Sequence, residues 1–125
     1  MLNQQTLDRF WNFDDPGLSE TRFRTALEDP NFDDDERAEL ATQLGRAIGL
    51  QGRYEEADEL LDGIDGDEPT VAVRVMLERG RVLNSSGHAE MAVPLFEQAA
   101  ELADHLGEDF LAVDALHMLA IADAA

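Results

Sequence analysis

The feature that most constrains this chain is a repeat with a period of 35 residues. Laid 35 places apart, Gly45 falls on Gly80, Gly52 on Gly87, Ala57 on Ala92 and Leu61 on Phe96. Around these marks apolar residues recur at steps of three and four: Leu40, Leu44, Ala47 and Ile48, then Ala57, Leu60, Leu61 and Ile64. Such steps put the apolar residues on one stripe of an α-helix. Alternating, strand-like patterning is nearly absent, and Val71-Ala72-Val73 sits inside a longer helical pattern. Helical units repeating at this interval cannot bury their faces alone, so they have to stack on their neighbours.

Local punctuation divides the pattern into helices. Asp14-Asp15-Pro16-Gly17 reads as a turn before a helix. Asp29-Pro30-Asn31 ends that helix, because the residue before a proline leaves the α region. Asp33 to Asp35 place negative charge at the positive end of the next helix. Gly52-Arg53 and Ser86-Gly87 are breaks inside each repeat, and Gly63 to Pro69 is a polar loop between repeats. The spacing predicts helices near 2–13, 17–28, 34–51, 54–64, 70–84, 89–105 and 108–123.

The repeated glycines have a packing rationale. A mid-helix glycine costs about 1 kcal/mol relative to alanine, so Gly45 and Gly80 imply a compensating close approach. The expectation is that Gly45 with Ala57, and Gly80 with Ala92, clear the crossing of two antiparallel helices. Gly52 and Gly87 permit the turn between those helices. Leu61 and Phe96 then fill the space between neighbouring units. Pro94 removes one backbone donor early in its helix and is expected to kink or delay it.

On these residues the chain resembles the tetratricopeptide repeat (TPR) family. The first repeat supplies Ala41, Leu44-Gly45, Ile48, Ala57, Leu61 and Pro69, with the family's large residue and aromatics replaced by Ala, Ile and Leu. The second supplies Met76, Gly80, Leu83, Ala92, Phe96 and Ala99, departs at Arg79 and lacks the closing proline. Ser19, Phe23 and Ala26 match the second helix of an earlier repeat, and Leu116, Leu119 and Ala120 begin a further one. The resemblance implies an all-α, antiparallel helix-pair solenoid, a right-handed superhelix. Residues 1–125 then form a single TPR-like domain: a half repeat at 17–33, repeats at 38–71 and 73–106, and the first helix of an incomplete repeat at 108–125. The apolar face of that helix (Leu116, Leu119, Ala120) implies either a fragment of a longer protein or a face that pairs with another chain.

Charge narrows the partners. Nine basic residues, all arginine, stand against 28 acidic ones, for a net charge of −19. Acids are spread along the whole chain, as on a solvated surface of the kind suited to high salt, where self-repulsion is screened. Nucleic acid and anionic membrane both require a basic footprint and are not expected partners. The absence of cysteine excludes disulfides and thiolate metal sites. The N-terminal MLNQQTLDRFWNFDD lacks the basic start and apolar run of a secretory signal, so a cytoplasmic location is expected.

By resemblance, a ligand lies in the concave groove lined by the first helix of each pair. The candidate groove residues are Gln43, Arg46, Arg74, Glu78, Arg81, Asn84 and His117. Arg46 and Arg81 occupy equivalent positions. With Arg74, Gln43 and Asn84 they would form a donor-rich strip able to grip an acidic segment or a terminal carboxylate. The competing expectation is local pairing, since Arg74 and Arg81 lie four and three residues from Glu78. The lysine–asparagine carboxylate clamp of chaperone-binding TPR domains is not reproduced, for there is no lysine. Phe10, Trp11 and Phe13 are expected to plug the first repeat.

No catalytic or metal constellation emerges. His88, His105 and His117 have no paired-ligand spacing, and Asp62, Asp65, Asp67 and Glu68 lack the EF-hand pattern. The sequence therefore predicts a non-enzymatic protein without cofactors: a scaffold binding a peptide or protein segment. The alternatives are a self-associating structural module, with a homodimer through the C-terminal helix, or a sensor or scaffold portion of a longer regulator or multi-domain protein.

Overall fold

The computed structural model describes residues 2–124. Among the described residues there are seven α-helices and no strand, as the helical periodicity requires. They group into two compact units that meet in sequence at Asp65 and Gly66. The first holds α1 (Gln4–Asp8), α2 (Pro16–Leu27), α3 (Asp34–Leu50) and α4 (Tyr54–Asp62). The second holds α5 (Pro69–Ser85), α6 (Ala89–His105) and α7 (Asp109–Asp123).

Helix starts follow local chemistry. Asp33 accepts a hydrogen bond from the Glu36 amide at 2.8 Å while Glu36 accepts one from the Asp33 amide at 2.9 Å, a reciprocal capping box on α3. Asp34, Asp35 and Glu36 complement the positive end of that helix. Asp15 caps α2 and Glu68 caps α5, each ahead of a proline at the first helical position.

Helix ends repeat one device. Gly52, Gly87 and Gly107 have φ of 81°, 90° and 72°, the left-handed conformation that lets the chain reverse. After each glycine the next amide reaches back to the closing helix: Arg53 to the Ile48 carbonyl, His88 to Leu83 and Glu108 to Ala103. Gly107 lies outside the 35-residue period, which hides it from a repeat-based reading.

Two expectations are corrected. The helix expected over 2–13 spans only Gln4–Asp8. Beyond it the chain turns so that Trp11 is buried, and the Asn12 backbone is tied to α2 by Ser19, whose hydroxyl accepts from the Asn12 amide and donates to its carbonyl. Aromatic burial and that double tether outweigh helical propensity. α6 starts at Ala89 and continues through Pro94, so the proline, exposed in the second turn at the cost of one backbone hydrogen bond, does not delay the helix.

Each unit has its own core. Leu7, Phe23, Leu40, Leu44, Ile48 and Leu61 are fully buried in the first, where α3 packs against both α2 and α4. In the second, Val73, Leu77, Phe96 and Leu111 are buried with a row of alanines, Ala92, Ala99, Ala103 and Ala115. Burial of each large side chain contributes about 1.5–3 kcal/mol. Leu61 and Phe96 do more than the sequence indicates. Leu61 lies 3.1 Å from where a Cβ on Gly45 would stand, and the Phe96 ring 2.5 Å from that of Gly80. Each therefore occupies the space left by the glycine of its own helix pair. Among the described residues no helix is long and apolar enough to cross a membrane.

Candidate functional site

The first unit contains Gln43 and Arg46, both on α3. Gln43 is buried, and its side-chain oxygen accepts a hydrogen bond from the Trp11 indole N–H at 3.1 Å. The Arg46 guanidinium lies over the Trp11 ring at 5.3 Å and the Phe13 ring at 5.0 Å. Those rings stack nearly parallel at 4.5 Å, and Trp11 also meets Phe23 edge-on at 5.2 Å. Trp11 and Phe10 thus fill the unit as expected, while Phe13 stays exposed beneath Arg46.

A second polar cluster ties α2 to the α3–α4 turn. Glu20 accepts hydrogen bonds from Arg53 at 2.6 Å, Gln51 at 2.8 Å and Arg24 at 3.0 Å. Arg53 also binds Glu56. The Arg53 hydrogen bond holds the Glu20 carboxyl at about 2, against the opposing effect of its burial, with Gln51 and Arg24 acting in the same direction as Arg53. Nothing in the local sequence announces this cluster, since Glu20 and Arg53 are 33 residues apart.

The second unit contains the other candidates. Arg74 and Glu78 are buried on α5. Arg81 donates to Glu78 at 2.7 Å, the local pairing its spacing allows, and through its other nitrogen to both oxygens of Asp114 on α7, at 2.6 and 2.5 Å. Burial works against the guanidinium charge, but attraction to Glu78 and Asp114 outweighs it and raises the Arg81 pKa. Asn84 is half-buried beside the α5–α6 turn, lining a cleft of about 460 Å³ with Gly87 to Met91. His117 is exposed on α7. The structure therefore joins Arg81 to Glu78 and holds Arg46 on aromatic rings. Of the strip, Gln43 and Arg74 are buried and Arg81 is engaged by two carboxylates, while Arg46 and Asn84 are half-buried.

The outward face of α7 is different in kind. Leu111, Ala115 and Ala122 point into the unit's core. On the other side Phe110, Val113, Leu116 and Ile121 are 56%, 66%, 56% and 44% exposed. Leu119, expected on the uncovered face, packs half-buried against the core, whereas Leu116 and Ala120 are exposed as expected. At ~100° per residue, Leu116, Ala120, Val113, His117, Phe110 and Ile121 form a continuous stripe ~140° wide. Phe110 and Val113 escaped the repeat-based reading, although their spacing from His117 and Ala120 follows the helical period. The exposed side of α6, by contrast, is mostly polar, with Glu90, Glu97, Gln98, Glu101 and Asp104 around a single large apolar side chain, Met91.

Comparison with known protein families, with curated proteins and with solved structures finds no match for this chain.

Proposed function

We propose that this chain is a protein-binding module built from tetratricopeptide-type helix pairs, working in the cytoplasm, with the outward face of α7 as its binding surface. Support for the repeat type comes from the shared Gly–Ala–large-residue pattern and from the equivalent seating of Leu61 on Gly45 and Phe96 on Gly80. Support for the surface is one observation. α7 is apolar on both sides, and a helix apolar all round is normally covered all round. Four large apolar side chains exposed together on one helix support reading it as an interaction site. The groove arginines support a different seat less well, because Arg81 already holds two carboxylates and Arg46 two aromatic rings.

A photoreactive phenylalanine analogue placed at Leu116, and separately at Glu97 on α6, tests this in the native host. The expected result is discrete protein adducts from position 116 and none from 97. The same adduct pattern from both positions overturns the assignment.

A further inference from the structure

Resting on that reading, we infer that the occupant of the α7 stripe is an amphipathic helix whose apolar face is flanked by lysine or arginine. The stripe is long and narrow, a shape matched by one apolar helix face laid along it. Its setting is strongly acidic, His117 within the stripe and Arg81 on Asp114 apart. After Arg81 the sequence has no lysine or arginine, while α6 carries Glu90, Glu97, Glu101 and Asp104, and α7 carries Asp109, Asp114 and Asp123. Asp109 and Asp123 are exposed at the two ends of α7, and Glu108 immediately precedes it. Asp114 is already neutralised by Arg81. Desolvating an apolar stripe beside uncompensated carboxylates is favourable only if the partner brings positive charge to the rim.

The same charge argues against a second copy. Two identical chains would bring the same carboxylates together around the same stripe, and each carries a net charge of −19. The apolar area is also small. Four side chains exposed by about half amount to roughly 400 Å² per partner, against ~800 Å² in a standard stable interface. An anionic partner is excluded on the same ground, and a neutral apolar one leaves the rim unused.

The test is a titration of the intact chain with two labelled synthetic helices of about 18 residues, long enough for five turns. Both carry the same leucine face; one has lysine flanks and the other glutamate flanks. Anisotropy reports binding, and light scattering on the same samples reports mass. The expected result is that the lysine helix binds at least ~10-fold more tightly than the glutamate helix, and that salt weakens its binding. Leu116→Glu and Val113→Glu each weaken it roughly tenfold, although each adds attractive negative charge, whereas Met91→Glu on α6 leaves it unchanged. Circular dichroism verifies that the variants remain helical. Equal binding of the two helices overturns the basic partner while leaving the α7 surface standing. A dimer at low salt that Leu116→Glu dissociates assigns the stripe to a second copy. Lysine-helix binding unaffected by both stripe variants overturns the site itself.

Discussion

Gly80 has the ring of Phe96 where any side chain would have to stand. A Cβ there would lie 2.5 Å from one ring carbon and 2.8 Å from another. A buried ring cannot yield that much without moving its neighbours, and such overpacking costs about 1–3 kcal/mol. At Gly45 the neighbour is the end of Leu61 at 3.1 Å, which can shift by rotation. Helix propensity favours alanine by about 1 kcal/mol at both sites. Gly80→Ala is therefore expected to lower stability by up to ~2 kcal/mol, and Gly45→Ala to be neutral or slightly stabilising, as read from urea unfolding midpoints. Equal effects at both positions would show that the two helix pairs do not differ in this way.

Glu20 gives the residue scale a pH dependence. Its carboxyl is held at about 2 in the folded state, below the ordinary 4.5, so the folded protein prefers it ionised. A depressed carboxyl contributes stability that is fully present above the unfolded pKa and is lost as pH falls through the window from about 4.5 to about 2. Acid unfolding followed by far-ultraviolet circular dichroism should show Glu20→Gln less stable than the native chain at pH 7, with the difference closing across that window. A constant difference down to pH 2 would remove Glu20 from the acid response.

At the scale of the element, legibility follows sequence distance. The acidic start of α3 at Asp33 to Asp35, the turn before α2 and the glycine turns at Gly52 and Gly87 are local and legible in the spacing, whereas the capping box to Glu36 is not read from it and Pro69, read as the end of a loop, opens α5. Links across one period are not legible. Trp11 reaches Gln43 over 32 residues, and Arg81 reaches Asp114 over 33. Helical spacing shows that Arg81 has Glu78 within reach, but not that a second carboxylate completes the pair. That is why Arg81, read as part of an open donor strip, is engaged within its own unit. α1 fails for a related reason: its propensity is helical, yet burial of Trp11 against Phe23 and Phe13, and of Phe10 against Phe23, outweighs another turn. The apolar outer face of α7 was half-legible. Leu116 and Ala120 stood out by repeat position, while Phe110 and Val113 match no repeat signature and show only on the helical wheel.

For the whole molecule, charge and apolar surface act together. An excess of 19 negative charges makes copies of the chain repel one another at low salt and, on the reading proposed above, favours a basic partner. The exposed α7 stripe supplies contact area that the charge alone does not. Neither is specific by itself; an apolar stripe with an acidic rim selects for a partner bearing both features. The most direct test is amide hydrogen exchange of the intact chain, read segment by segment, with and without the lysine-flanked helix. The account predicts slowed exchange confined to α7. Slowed exchange around Arg46 on α3 and Arg81 on α5, with α7 unchanged, would contradict it and return the binding site to the arginine-bearing helices.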